Sequence, residues 1–441
     1  MNIKNKFNSL KDILFSSSLP VRCSICVMGT GQLLYKQWIS GLLYLSAFVG
    51  MIVYLALSGI NDIRGFITLG TKEADPWLGI KGDDSVILML RGLLAILMIL
   101  AFLVLHIVNI KHVLSLEAMK KSGKQFYKLK RRINYIMDRK FYVVALILPV
   151  AGVLVFNVIP IVFMIIISFT NYGGDIVPPK LIDWIGLGNF AKIFSLSEIK
   201  DTFFKILGWN VLWALLSTAI NYFGGLGLAL LLNKKCVKGK TFWRAFPILA
   251  YAVPGFITLI AFKFMFSYGG PINYYITLAG NNPIGFLDID AGVMAKIIGL
   301  FVNAWISIPT SMLLATGILS NMNTDLYEAA ALDGASRMKQ FKKITLPFVI
   351  FATTPVLITS FIGNFNNFGV FYFLRGGLYM DDYFLASDTD LLINWLYNLS
   401  IDNNYYGIGA AVSLIIFIIT SIFSLVVYIN SSAYKKEDTF R

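Results

Sequence analysis

A chain of 441 residues that is 57% hydrophobic, 14% charged and +0.71 in mean hydropathy is not a soluble globular protein, in which about 25% of residues carry charge. Its apolar residues come in runs of about 20 or more, long enough to cross a bilayer as helices, so the expected fold class is an all-α integral membrane protein embedded in lipid. The net charge of +14 is then a matter of membrane topology rather than of nucleic-acid binding, and no nucleic-acid partner is expected.

The polar stretch Met1–Gln37 comes first. No small-residue cleavage site follows a short early apolar run, so no removable signal peptide is expected. Cys23 and Cys26 form a CxxC, but no second pair or histidine cluster accompanies it, which leaves plain thiols in a reducing compartment rather than a metal site. The segment beginning Met28-Gly-Thr-Gly-Gln-Leu is read as lying along the inner surface. Eight spans follow, at Ser40–Leu57, Val86–Ile110, Phe141–Phe169, Phe204–Leu232, Phe242–Phe266, Val293–Leu319, Phe348–Phe373 and Tyr406–Val427.

Basic residues then set the orientation. Lys120, Lys121, Lys124, Lys128, Lys130, Arg131, Arg132, Arg139 and Lys140 lie between the second and third spans. Lys234, Lys235, Lys238 and Lys240 follow the fourth, Arg337, Lys339, Lys342 and Lys343 follow the sixth, and Lys435 and Lys436 follow the last. With eight spans all of these fall on one side, while Asp62, Asp75, Asp83, Asp84, Asp288, Asp290, Asp381, Asp382, Asp388, Asp390 and Asp402 fall on the other. The positive-inside rule places the basic side, and both termini, in the cytoplasm.

Between the sixth and seventh spans lies a polar island, Glu328 to Pro347. It reads as two short amphipathic helices joined at Gly334, whose freedom to take positive φ suits a helix end. Asp325 is expected to cap the first helix, with Glu328 three residues on completing a capping box; the alternative role for Glu328 is a charged contact with a partner protein. Ala329, Ala330 and Ala331 make a smooth helix surface, Phe341, Ile344 and Leu346 an apolar face, and Pro347 is expected to restart the chain into the next span.

Two polar stripes flank the island. Asn303, Ser307 and Thr310 precede it and Ser360, Asn364 and Asn367 follow it, each at i, i+4, i+7 on an otherwise apolar helix. Two readings stand: hydrogen bonds between helices, worth about 0.6 kcal/mol each, or a polar cavity for a neutral polyhydroxylated solute. Tyr251-Ala-Val-Pro254, where proline breaks a span, favours the cavity, because broken helices tend to line sites. Tyr251, Trp305, Phe361 and Phe365 are expected to offer flat apolar faces to the solute.

The island, with Glu328, Ala329, Ala330, Asp333, Gly334, Ala335, Phe341, Ile344, Leu346 and Pro347 in register, resembles the EAA loop of the permeases of binding-protein-dependent ABC importers. The stretches from Leu249 (LAYAVPGFITLIAFKFMF), Lys342 (KKITLPF) and Asn364 (NFNNF) look most like the maltose/maltodextrin (MalF) type. The resemblance covers most of the chain from Phe141 onward. It implies two accessory spans with their cytoplasmic segments over 1–140 and a six-span permease core over 141–441, with a coupling loop at about 321–347. It implies a neutral sugar as cargo, probed by Tyr251, Asn303, Ser307, Ser360, Asn364 and Asn367. It also implies three kinds of partner: a second, MalG-like permease, an ATPase dimer that binds ATP and Mg, and an extracellular sugar-binding protein, all at a bacterial plasma membrane. Gly255, Gly363 and Gly369 depart from the type, where bulkier or hydroxyl side chains are expected. The large outer domain of some members has no counterpart.

Chemistry of its own is not expected. There is no GxxxxGK[ST] phosphate loop, no HExxH, GxSxG or paired-carboxylate constellation, and only two histidines, His106 and His112. The spans hold few ionisable groups, chiefly Lys263, so the relay of an ion-coupled carrier, the alternative class, is not evident. The same machine for another sugar or polyol is the other alternative, and an anionic solute would call for Arg or Lys on the stripes, which carry none.

Overall fold

The computed structural model describes residues 18–75, 77–123, 126, 137–234 and 236–430. Residues 1–17 and the basic positions Lys124, Lys128, Lys130, Arg131, Arg132, Lys235, Lys435 and Lys436 named above lie outside the described residues. Helices make up almost all regular structure among the described residues, with three isolated β-bridges besides. The chain divides into two compact units, Met1–Trp184 and Ile185–Arg441.

In the first unit, short helices α1 (Leu19–Cys26) and α2 (Thr30–Leu34) precede three long ones, α3 (Trp38–Thr68), α4 (Ser85–Lys121) and α5 (Phe141–Ile167). The short pair is tied to α4 by a buried polar knot: Gln32 Nε2 donates to Asn109 Oδ1 (2.8 Å), and Asn109 Nδ2 to the Ser24 carbonyl (3.1 Å). Asp84 starts α4 by accepting from the N–H groups of Val86 and Ile87, the N-cap bonds that satisfy otherwise orphaned donors. The first span runs well past Leu57, so Asp62 is helical, bonded by the Tyr54 hydroxyl (3.2 Å), and not in a loop. Nothing in residues 58–68 forbids helix, and the chain turns only at Leu69 and Gly70, both at positive φ.

The second unit holds α6 (Gly188–Ser195), α7 (Ser197–Asn233), the pair α8 (Lys240–Ala252) and α9 (Gly255–Met265), α10 (Pro271–Leu278), α11 (Gly292–Ser320), α12 (Asp325–Leu332), α13 (Arg337–Gln340), α14 (Leu346–Phe365), α15 (Gly369–Arg375), α16 (Leu392–Tyr397) and α17 (Tyr406–Asn430). Among the described residues seven helices, counting Arg337–Arg375 as one, are long and apolar enough to cross a membrane, and the bent pair α8–α9 makes an eighth if it counts as one span. The fifth expected span is therefore not straight. Its halves meet at 90°, because Pro254 forces Val253 into extended backbone and has no N–H to continue the ladder.

The seventh expected span is likewise interrupted, at residues 366–368 between α14 and α15. At its other end α14 begins at Leu346 with Pro347 in its first turn, as expected, and it continues the helix from Arg337 through one wide turn, Phe341–Thr345.

The core of this unit forms where α7 crosses α11. A side-chain methyl at Gly225 would sit 2.4 Å from Ser311 Cβ and 2.7 Å from the Met312 nitrogen, so only glycine lets these two backbones approach so closely. Trp213, Ile298, Val302 and Phe371 fill the interface toward one end and Tyr222, Leu226, Met312 and Val349 toward the other. Arg375, at the end of α15, is almost wholly buried. Its guanidinium donates to Asp388 Oδ1 (3.0 Å), Thr389 Oγ1 (3.1 Å) and the carbonyls of Asp288 (2.8 Å) and Ile289 (3.0 Å), which clamps two loops together. Lys296 adds a second cation to Asp388 at 3.5 Å.

Candidate functional site

The two polar stripes meet. Asn367 Nδ2 donates to Asn303 Oδ1 (3.2 Å), Asn303 Nδ2 to Asn364 Oδ1 (3.5 Å), and Asn364 Nδ2 to Thr218 Oγ1 (3.0 Å). These amides thus join α7, α11 and the α14–α15 break into one chain of hydrogen bonds. Asn367 takes part although it lies past the end of α14, because the break turns its side chain back toward α11. Its Oδ1 accepts the Val370 N–H, so it also starts α15.

Beside this chain lies a cavity of about 310 Å³. Of the expected residues, Tyr251, Ser307, Thr310, Ser360 and Asn364 line it, while Asn303 and Asn367 sit behind Asn364. Thr218, Asn221 and Tyr222 of α7 and Ser311 of α11 complete the polar part, and Ile306, Leu314, Val356 and Leu357 supply apolar wall. Among the described residues no lining side chain carries a charge. The α7 groups lie outside both polar stripes, yet their signal is in the sequence: Asn221 and Tyr222 follow Thr218 by one turn inside an apolar span. Gly363 also lines the cavity, and a methyl there would meet no atom within 4 Å.

Of the four expected rings, Tyr251 alone lines the cavity. Phe361 and Phe365 are buried in the core of the unit, with Phe361 stacked 4.0 Å from Phe423. Trp305 packs edge-on to Phe262 and lines a separate apolar hollow under the α8–α9 bend. An i, i+4 pattern cannot tell which side of a helix a large ring takes when both sides are apolar.

The island is built as two helices around Gly334, which takes φ +76°. The Ala335 N–H reaches back to the Ala330 carbonyl (2.9 Å) and the Gly334 N–H to Ala331 (3.0 Å), closing the end of α12. The expected capping box does not form. Asp325 is the first helical residue rather than the cap, its own N–H is bound by Asn323 Oδ1 (2.9 Å), and Thr324 has helical rather than extended backbone. Glu328 is left exposed on α12, with Ala329, Asp333 and Gly334, while Ala330 and Ala335 are half-buried. Leu332 stands out at 90% exposure. The island is anchored from its inner side, where the Tyr327 hydroxyl pairs with Thr345 Oγ1 (2.9 Å) at the foot of α14, and Ser336 accepts the Lys339 N–H to start α13.

Comparison with known proteins covers nearly the whole chain. Residues 222–436 match the family described as the binding-protein-dependent transport system inner membrane component. The chain is 32% identical over 418 residues to the galactooligosaccharides transport system permease protein GanP of Bacillus subtilis (strain 168), covering 93% of this chain and 97% of that one. It is 32% identical over 423 residues to the maltodextrin transport system permease protein MdxF of the same organism, covering 93% and 95%. To the maltose/maltodextrin transport system permease protein MalF of Vibrio vulnificus (strain YJ016) it is 36% identical over 262 residues, 58% of this chain and 50% of that one. Among solved structures, a bacterial ABC transporter involved in the import of the acidic polysaccharide alginate aligns with a TM-score of 0.55 at 20% identity, covering 67% of this chain and 96% of that one.

Proposed function

The chain belongs to the inner-membrane permeases of binding-protein-dependent ABC importers, in the branch that includes sugar permeases, and on that premise we propose that it forms half of the membrane pathway for a neutral oligosaccharide of the maltodextrin kind. The observation that carries this reading is the cavity wall: amides, hydroxyls and two tyrosines, Tyr222 and Tyr251, with no charged side chain among the described residues. Hydroxyl-rich neutral solutes exchange hydrogen bonds with such groups and lay their C–H faces on an aromatic ring. An anionic solute would leave its charge unpaired in a low-dielectric site, at a cost of several kcal/mol. In this reading Tyr251, Ser307, Ser360 and Asn364 touch the sugar, and Asn303 and Asn367 hold Asn364 in place. The space at Gly363 suits a longer or differently linked chain.

Glu328, Ala329, Ala330, Asp333, Gly334 and Ala335 form the surface that docks on a separate ATPase. The exposed Leu332 supports this, because an apolar side chain held so far out of its own fold is suited to insertion into a partner. The ATPase dimer binds ATP and Mg, and its closure moves the island. The island in turn moves α14 through the Tyr327–Thr345 contact and the continuous helix from Arg337. This chain supplies no ATPase site. A second permease completes the pathway, an extracellular binding protein delivers the sugar, the core extends over 141–441, and both termini face the cytoplasm.

The test is purification of the chain with its partners, followed by ATP turnover in the presence of maltotriose, a galacto-oligosaccharide of the same length, and alginate trisaccharide. Stimulation by a neutral sugar with its binding protein is expected. Stimulation by the acidic sugar alone would overturn the assignment of cargo, and turnover indifferent to every sugar would overturn the sugar reading.

A further inference from the structure

One buried group in the cavity wall is left unsatisfied by the described residues. Asn221, on α7, is 6% exposed, and its buried Oδ1 has no hydrogen-bond partner among the described residues. Leaving such an acceptor unpaired costs about 1–3 kcal/mol, so a partner from outside the protein's own groups is expected to reach it. The neighbouring buried amides behave differently. Asn210 donates to the Phe365 carbonyl (3.1 Å) and accepts the Leu392 N–H (2.8 Å), and Asn303 and Asn364 are paired as described. Asn221 therefore does not serve as a tie between helices.

Its position supplies a reason. Asn221 lines the 310 Å³ cavity, one turn along α7 from Thr218. The Thr218 oxygen accepts from Asn364, which leaves its own proton free to donate. Tyr222, next in sequence, has its hydroxyl committed to Thr353 Oγ1 at 2.8 Å. The α7 wall thus offers one amide, able to accept and to donate side by side, and one hydroxyl donor. A pair of adjacent sugar hydroxyls presents the complement, one O–H to Oδ1 and the neighbouring oxygen to Nδ2.

We infer that Asn221 is a further sugar-binding residue, receiving a vicinal diol of the solute on the α7 side of the pathway. The inference rests on the reading of the cavity as a sugar site, and it adds a wall that neither polar stripe contains. It also accounts for the unpaired oxygen, which is a cost in the empty site and a contact in the loaded one.

The test uses cells in which the native gene is replaced by Asn221→Leu, Asn221→Ser or, as a reference on the opposite wall, Ser360→Ala. Uptake of radiolabelled maltotriose and a galactotriose is measured beside membrane abundance and the Tm of the detergent-purified transporter. Leucine matches asparagine in size and removes the unpaired amide, so the expected result is abundance and Tm equal to or above wild type with uptake at least 10-fold lower. Serine, which keeps a hydroxyl, is expected between the two. Wild-type uptake by Asn221→Leu with Ser360→Ala impaired would overturn this inference and leave the sugar reading intact. A loss of uptake by Asn221→Leu that tracks a loss of abundance or Tm, with serine no better, would make Asn221 a structural residue and also overturn it. If the wild type takes up neither sugar and Ser360→Ala changes nothing, the sugar reading fails and this inference falls with it.

Discussion

Gly225→Ala is the sharpest probe of the architecture around the cavity. The added methyl would lie 2.4 Å from Ser311 Cβ and 2.7 Å from the backbone nitrogen of Met312, whereas non-bonded carbon atoms rest at about 3.5–4.0 Å. Two of the atoms it meets are backbone, so no rotamer change relieves the clash, and α11 must move away from α7 by roughly 1 Å to reach ordinary contact. Overpacking of this kind costs about 1–3 kcal/mol. The displacement also acts on function, because Ser311 is itself part of the cavity wall and Thr218, Asn221 and Tyr222 stand on the facing helix. Gly227→Ala, two residues on, is the control: a methyl there meets nothing within 4 Å, and alanine is favoured over glycine in a helix by up to about 1 kcal/mol. Thermal unfolding of the detergent-purified transporter, read beside solute uptake in cells, separates the two. Gly225→Ala is expected to lower Tm and uptake together, and Gly227→Ala to leave uptake unchanged with Tm level or slightly raised. Equal Tm and equal uptake for both variants would refute the close crossing of α7 and α11 as the frame of the site.

Gly334→Asp is expected to abolish uptake while the protein stays in the membrane at normal abundance, since φ +76° is strained for a side chain and the change adds charge to the proposed docking surface; normal uptake would count against the proposed coupling role. Arg375→Ala removes a buried guanidinium that serves Asp388, Thr389 and two carbonyls, with an expected loss of about 3–5 kcal/mol, measurable as a large fall in Tm and as faster proteolysis of the 376–391 loop. Burial pushes the carboxyl of Asp390, in that loop, up to about 7 from its ordinary 3.8, against the opposing pull of the Ser387 N–H, Arg375 and Asn398. The folded state therefore holds a proton that the unfolded state has lost, so this group's stabilisation is full below about pH 4, declines as pH rises, and is gone above about 7. Asp390→Asn, read by Tm at pH 5 and pH 8, should remove that part of the pH dependence and raise Tm at the higher pH; an unchanged profile would refute it.

Much of this protein was legible in residue order because the bilayer imposes one-dimensional rules. Apolar run length marks a span wherever water is absent to satisfy the backbone, so the positions of the long helices followed from composition. The island followed from a run of fixed residue types, and Gly334 from the need for positive φ at a helix end. Local chemistry was less secure. The capping box at Asp325 failed because the Asn323 side chain reached the helix start first, and the wide turn at Phe341–Thr345 before Pro347 was not foreseen.

What the sequence by itself determined is the set of spans, the island and the polar character of two helix stripes, each a property of near neighbours along the chain. Only the tertiary structure decided which polar groups face the cavity and which face one another. Asn303 and Asn367 carry the same spacing as Ser307 and Ser360, yet they stand behind Asn364 while the hydroxyls line the cavity. That division depends on the break after Phe365 and on how closely Gly225 lets α11 approach α7. Both are relations between residues tens of positions apart, which periodicity along one helix cannot encode.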